Sequence, residues 1–229
     1  MKLPINGSGV HSLSLPKRIF IIFLRTFFKL LYHQFAWAYD WVASIVSLGA
    51  WQQWVQSILP YLEGPRTLEL GFGPGHLQVT LQQKGISVYG LDESSQMGRI
   101  THKRLTRLGF HPNLVRGYTQ TLPFACECFH QVVMTFPAEY LFSQTTFSEI
   151  HRVLIKGGVA VILPLAWITG HKPLERLAAW VNRITGEAPV WDEETLEPLK
   201  KLGFNTQWEM INFPTSQVLI IQLSKFLDL

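Results

Sequence analysis

Short apolar runs alternate with amphipathic stretches along the chain from residue 61 onward. A brief continuous apolar run is typical of a strand buried on both faces, whereas apolar positions three and four residues apart indicate a helix. The pattern predicts strands at 67–70, 87–92, 113–116, 132–135 and 159–163, and helices at 76–84, 95–109 and 144–155. Such alternation indicates an α/β fold, a parallel sheet with helices on both faces.

The C-terminal part of the chain follows a different pattern. Residues 192–202, which are acidic at their start, predict a helix. Two strand-like runs, 208–212 and 217–223, flank a turn-like stretch and predict an antiparallel hairpin. Residues 164–191 form an insertion before them, with one amphipathic helix at 173–184 that either packs in the core or lines a pocket.

The N-terminal segment, residues 1–60, stands apart. Residues 19–31 read IFIIFLRTFFKLL, which predicts an apolar helix with one narrow basic stripe. Arg25 and Lys29 interrupt the apolar run, which disfavours a signal peptide and a transmembrane span. Two hypotheses stay open: a lid or pocket wall, or contact of residues 17–34 with a membrane surface. Half of the eight tryptophans follow closely, and their rings suit either role: Trp37, Trp41, Trp51 and Trp54.

Charge and composition narrow the function classes. Residues 1–60 hold five bases and one acid, and the remainder holds 15 of each, so the net charge of +4 is local to this segment. A local basic, aromatic-rich segment does not indicate a nucleic-acid partner. Cys126 and Cys128 are too close in sequence for an ordinary disulfide and lack further zinc ligands nearby. We therefore expect reduced thiols in a cytoplasmic protein and no metal site.

The strongest chemical signal is a glycine-rich turn. The strand at 67–70 enters the sequence Gly-Phe-Gly-Pro-Gly at 71–75, and a helix begins at His76. Such a turn lets a ligand approach the backbone and directs helix N–H groups toward it. A dinucleotide fingerprint requires glycine or alanine where this chain has His76, and a phosphate loop requires a following lysine. With the acidic Glu69 before it, the turn indicates a cationic ligand without phosphates.

A second acid lies at the tip of the next strand. Asp92 comes 23 residues after Glu69. In this position a carboxylate can accept hydrogen bonds from both hydroxyls of a ribose. Alternatively, Asp92 caps the helix that begins near Ser94.

Four segments together resemble class I S-adenosylmethionine-dependent methyltransferases, nearest the small-molecule branch that includes quinone-biosynthesis enzymes. They are LELGFGPG at 68–75, GLDESSQM at 90–97, LPF at 122–124 and EIHRVLIKGG at 149–158. The resemblance implies a Rossmann-like three-layer sandwich, whose mostly parallel seven-stranded sheet closes with a C-terminal antiparallel hairpin. It places the methyltransferase domain at 61–229 and leaves 1–60 outside.

The resemblance also implies the residues that bind S-adenosylmethionine. They are Glu69, Gly71, Gly73, Gly75, Asp92, Glu93, Met97, Thr119, Gln120 and Thr135. The glycines would line the methionine and ribose portions, Glu69 would hold the amino-acid end and Asp92 the ribose. Met97 would pack near the adenine or fill the core. Tyr118 replaces the acid that usually accepts from the adenine amino group, so Thr119 or backbone would substitute.

The acceptor is expected at the carboxyl ends of the strands, near residues 135–140 and the insertion. A sulfonium methyl group is already activated, so its transfer depends mainly on positioning and desolvation, and a base helps when the acceptor is a hydroxyl. Glu139 and His130 are the candidate catalytic bases, and either could instead be structural. His130 also stands where the family usually has aspartate.

The sequence thus predicts methyl transfer to a small, lipophilic acceptor by a cytoplasmic enzyme, with or without peripheral membrane contact. The alternative is a non-catalytic methyltransferase-like protein that binds the cofactor or a membrane, which Tyr118 and His130 favour. The acceptor and the oligomeric state stay open.

Overall fold

The structure is a computed structural model that describes residues 44–45, 47–137, 143–170 and 193–226. The apolar segment 19–31, the candidate base Glu139 and the helix expected at 173–184 lie outside the described residues. Within those ranges, none of the helices is both long enough and apolar enough to span a membrane.

Helices and strands alternate through the first two thirds of the described chain. In order they are α1 (Trp51–Gln56), a 3-10 helix (Leu59–Tyr61), β1 (Arg66–Leu70), α2 (His76–Gln83), β2 (Ser87–Asp92), α3 (Ser95–Arg107), β3 (Leu114–Arg116), β4 (Phe129–Thr135), α4 (Gln144–Val153), β5 (Leu154–Ile168), α5 (Glu193–Lys201), β6 (Phe204–Asn212) and β7 (Ser216–Lys225).

The seven strands form one sheet in the order β3-β2-β1-β4-β5-β7-β6. The pairings from β3 through β5 are all parallel. Strand β7 runs antiparallel to both β5 and β6. This topology confirms the predicted Rossmann-like sheet with its C-terminal antiparallel hairpin.

Helices cover both faces because alternate residues of a strand point to opposite sides. Leu68 and Leu70 of β1 share one core with Phe147 and Ile150 of α4. The second core lies on the other face, where α2 packs against β2, β4 and β5 through Leu77, Leu81, Val88, Val133 and Val161. The result is three layers, with the interior strand β1 buried on both sides.

An ion pair and several hydrogen bonds connect two of the segments that carry the family resemblance, 122–124 and 149–158. Glu149 and Arg152 form an ion pair with Nε and Oε1 2.7 Å apart. Glu149 Oε2 also accepts from the backbone amide of Leu122, and Arg152 donates to the carbonyls of Leu122 and Phe124. Glu149 and Arg152 therefore bind the 122–124 loop to α4.

The domain extends further toward the N-terminus than the predicted start at residue 61. Trp54, Ile58 and Leu62 are buried in the second core. The indole Nε1 of Trp54 donates to Ser216 Oγ at the start of β7, at 2.8 Å. Residues 51–62 are thus packed onto the sheet.

Strand β5 is three times as long as the five residues predicted for it, and residues 164–168 belong to it rather than to the insertion. Pro164 is the reason for the difference, since proline normally interrupts a strand. Here the β5–β7 register shifts between Ile162 and Leu165, and the proline lies in that irregularity. Pairing then resumes as far as Ile168.

Candidate active site

The loop between β1 and α2 has a backbone conformation that a ligand can approach closely. Gly71, Gly73 and Gly75 have φ values of +73°, +50° and +80°, a region that favours glycine. A Cβ added to Gly75 would overlap the side chain of Thr101. A Cβ added to Gly73 would meet no heavy atom within 4 Å, although Gly73 is buried. Open space therefore lies beside the middle of the loop.

Asp92, at the end of β2, fastens this loop. Its side chain is buried, and Oδ2 accepts from the amide of Gly73 at 2.9 Å. Oδ1 accepts from the amide of Ser94 at 2.8 Å. The cap of α3 is Ser94 itself, whose Oγ accepts from the amide of Met97. An ionised carboxylate has about four acceptor positions, so Asp92 can bind backbone amides and ribose hydroxyls together.

Glu69 lies inside the sheet domain, only 2% exposed. Burial raises the pKa of Glu69 to about 8. The hydrogen bond from Gln78 lowers this pKa, and the negative charge of Asp92 raises it further. The carboxyl group is therefore largely protonated at neutral pH. A cation placed beside it would favour the ionised form.

Gln78 of α2 is a residue that the sequence reasoning missed. Its side chain is fully buried, and Nε2 donates to Glu69 Oε2 at 2.8 Å. Its Oε1 has no hydrogen-bond partner among the described residues. The sequence feature that could have revealed Gln78 is a glutamine between Leu77 and Leu81, on the buried face of the helix. A buried acceptor without a donor fits a site whose ligand brings N–H groups.

Met97 lies behind the loop. It is fully buried and packs against Phe72, with Ile100 and Leu114 beside them. The Met97 side chain fills the space between α3 and the glycine loop. A contact with adenine would require a shift of these side chains.

The other predicted cofactor residues follow β2 and β3. Thr119 is buried, and its hydroxyl lies 3.1 Å from that of Thr146 in α4. Glu93 and Gln120 are half-buried, and the carbonyl of Glu93 accepts from Arg116. Tyr118 is exposed. The hydroxyl of Thr119 thus joins the loop to α4.

Thr135, predicted to bind the cofactor and to lie near the acceptor, is at the carboxyl edge of the sheet. Strand β4 is parallel to β1, and Val133 is paired with Glu69. Two residues further along, Thr135 is therefore level with the start of the glycine loop. Its side chain is half-buried.

His130 lies at the other end of β4, and this position corrects its candidacy as catalytic base. Its neighbour Gln131 pairs with Thr67, near the amino end of β1. Thr135 lies five positions beyond His130 along the strand, a distance of about 16 Å. A base at that end cannot reach a group held over the glycine loop.

Comparisons with known proteins show which proteins this chain resembles. Residues 68–162 match a family described as a methyltransferase domain. The ubiquinone/menaquinone biosynthesis C-methyltransferase UbiE of Blochmanniella floridana is 30% identical over 58% of this chain and 56% of its own length. The UbiE of Xylella fastidiosa strain 9a5c is 28% identical over 72% of this chain and 63% of its own.

A solved structure shares the fold. Haemonchus contortus phosphoethanolamine N-methyltransferase 2, in complex with phosphomonomethylethanolamine and S-adenosylhomocysteine, aligns with a TM-score of 0.58 and 17% identity. The alignment covers 78% of this chain and 53% of that one.

Residues 68–162 are thus similar to methyltransferase domains, and over a longer stretch the chain is similar to quinone-biosynthesis C-methyltransferases. It spans about 60% of the length of these two curated relatives.

Proposed function

We propose that this protein transfers the methyl group of S-adenosylmethionine to a small, lipophilic acceptor with a quinol-like aromatic ring. The observation that carries the proposal is the buried Asp92 carboxylate fastened to a glycine loop with open space beside it. The ring class of the acceptor is suggested by the curated relatives, which are named for ubiquinone and menaquinone biosynthesis.

The residues around the loop suit the cofactor. Gly73 offers backbone that a ligand can approach closely, Asp92 offers acceptors for ribose hydroxyls, and Glu69 with Gln78 offers buried acceptors for an ammonium group. When bound, S-adenosylmethionine supplies a methyl group on a positively charged sulfur. The protein's own contribution is then to orient the two ligands and to exclude water.

On the acceptor side, Thr135 lies beside the loop at the carboxyl end of β4. Glu139, four residues further along the chain, remains our proposed base for an acceptor hydroxyl. We expect Glu139→Gln to lower kcat while leaving S-adenosylhomocysteine affinity unchanged. The same loss of kcat with weaker cofactor binding would instead assign Glu139 to the cofactor.

A lipophilic acceptor also gives the basic segment 17–34 a role. Contact with an anionic membrane surface would bring a cytoplasmic enzyme to an acceptor that partitions into lipid. Peripheral membrane association is thus part of the proposal.

The cofactor part is tested by calorimetry with S-adenosylhomocysteine. Asp92→Asn keeps the shape of the side chain but replaces an acceptor oxygen by an amide NH₂ group. We expect affinity to fall by about 1–3 kcal/mol, roughly five- to 150-fold. Glu127→Gln, which changes an exposed carboxylate near Lys225, is the control and should bind normally. Unchanged affinity in folded Asp92→Asn would show that the site is misplaced.

Turnover is tested with methyl-labelled cofactor and a lipid extract that contains quinols. Label in the organic phase, dependent on Asp92, is the expected result. Binding of S-adenosylhomocysteine without transfer to any extract component would support the non-catalytic alternative.

A further inference from the structure

Three aromatic rings meet at the carboxyl end of β4, and we call them the aromatic wall: Trp51, Trp54 and Phe136. The rings of Trp51 and Phe136 are stacked, with centroids 4.3 Å apart and planes inclined by 28°. Trp54 is tilted against Phe136 at 6.1 Å. The wall thus joins helix α1 to the tip of β4.

The backbone of Phe136 is unusual. Its φ is +47°, in the left-handed region that residues other than glycine rarely adopt. Its amide nevertheless donates to the carbonyl of Leu163 at 2.7 Å, so the conformation is held in place. Such strained residues persist where the surroundings impose them, and they concentrate at ligand sites.

The wall lies at the same edge of the sheet as the glycine loop. Phe136 follows Thr135, which is level with the start of the loop, and β4 is the immediate neighbour of β1. Adjacent strands are about 4.8 Å apart. A flat molecule lying against the wall would therefore be within reach of a methyl group held over the loop.

The three rings differ in burial. Trp54 is 5% exposed and is anchored by its hydrogen bond to Ser216. Trp51 and Phe136 are only half-buried. Trp54 is therefore the buried, supporting ring of the wall, and the other two rings retain accessible surface.

We propose that Trp51 and Phe136 determine acceptor specificity by stacking against a planar aromatic ring, with Trp54 as the positioning residue that fixes Phe136. The inference rests on the proposed function, because it presupposes that an acceptor binds beside the loop. Aromatic rings favour offset-stacked or edge-to-face partners, so the wall would select planar acceptors over saturated ones.

The test measures the preference for a planar ligand rather than activity. The full-length protein, saturated with S-adenosylhomocysteine, is titrated with 1-naphthol and separately with its saturated counterpart, decahydro-1-naphthol. Both carry one hydroxyl, and neither is an electrophile toward the exposed thiol of Cys126. We expect the wild type to prefer the naphthol by about tenfold.

Trp51→Leu retains an apolar side chain but removes the π face. We expect it to reduce the preference for naphthol by about three- to tenfold, with S-adenosylhomocysteine affinity unchanged. Trp51→Phe should restore most of the preference. Trp208→Leu, which changes a half-exposed tryptophan on the edge strand β6, is the matched control and should behave as the wild type.

The outcomes separate the two proposals. Absent S-adenosylhomocysteine binding in the wild type would overturn the proposed function itself. Two results, each with normal cofactor binding, would overturn only the proposed role of the aromatic wall. One is equal affinity of the wild type for 1-naphthol and decahydro-1-naphthol, and the other is an unchanged preference in folded Trp51→Leu. A loss of thermal stability in Trp51→Leu without a changed preference would show that the rings only pack the domain.

Discussion

The carboxyl edge of the sheet has two halves that are built in different ways. The half around the glycine loop, which we propose binds the cofactor, is called the cofactor half, and the half around the aromatic wall, which we propose binds the acceptor, is called the acceptor half. In the cofactor half, the contacts are polar and local in sequence: Asp92 binds Gly73 19 residues away, and Gln78 binds Glu69 nine residues away. In the acceptor half, the contacts are mostly aromatic and distant in sequence, and Trp54 binds Ser216 across 162 residues. Local spacing therefore encodes the first half, whereas the assembled fold creates the second.

This difference has a functional consequence. Backbone amides and buried carboxyl groups tolerate little change, since each lost partner leaves a polar group unsatisfied. Apolar side chains of similar volume exchange at lower cost. We therefore expect substitutions in the acceptor half to alter specificity while cofactor binding persists, and substitutions in the cofactor half to weaken cofactor binding.

The largest expected effect is at Gly75. Alanine there must adopt φ near +80° and overlap Thr101, so we expect Gly75→Ala to destabilise the fold by about 2–5 kcal/mol. Gly109→Ala is the matched control, because Gly109 has φ +78° and open space around it. It should cost about 1–2 kcal/mol. Urea unfolding measures both, and equal losses would show that Thr101 does not constrain the loop.

Glu69 should make stability depend on pH. Burial raises the pKa of Glu69 from 4.5 to about 8, so between these values the folded protein keeps a proton that the unfolded chain releases. The free energy of unfolding should therefore fall as pH rises from about 5 to 8. Glu69→Gln cannot ionise and should lose this part of the slope.

The measurement is urea unfolding of the wild type and Glu69→Gln at pH 5, 6.5 and 8. The variant should gain stability relative to the wild type as pH rises. Parallel curves for the two proteins would mean that the Glu69 carboxyl group is already ionised in the fold. The exposed-site variant Glu127→Gln serves as control.

The hydrogen bond between Trp54 and Ser216 tests the acceptor half. Trp54→Phe leaves the buried hydroxyl without its indole donor, and we expect a loss of about 1–3 kcal/mol. Ser216→Ala should cost a similar amount, and the double variant less than the two together. Cofactor affinity should be unchanged in all three. Weaker S-adenosylhomocysteine binding would show that the two halves are not independent.

Removal of residues 1–34 should have the smallest effect on stability, within about 0.5 kcal/mol, because the described packing onto the sheet involves residues 51–62. The full-length chain should co-sediment with anionic vesicles, and salt should weaken this binding. A chain that begins at Phe35 should lose it. If the segment is a lid instead, vesicle binding is absent and acceptor affinity changes on truncation. No change in either property would exclude both roles.

Much of the fold could be predicted from the sequence because its signals are periodic and local. The strands β1, β2 and β3 and the start of α2 were predicted to within one residue. Strand β5 was predicted too short, because Pro164 marks a strand end by sequence and only the pairing with β7 shows that it occupies an irregularity.

The sequence by itself determined the glycine loop and placed Asp92 at the tip of the next strand, because a strand, a turn and a helix in succession leave few geometries for residues so close in the chain. Only the tertiary structure decided that β5 continues beyond Pro164, that Trp54 reaches Ser216, and that Trp51 meets Phe136. Strand register, burial and the contacts between distant segments set these outcomes. They arise from the packed fold as a whole, and no local spacing in the chain encodes them.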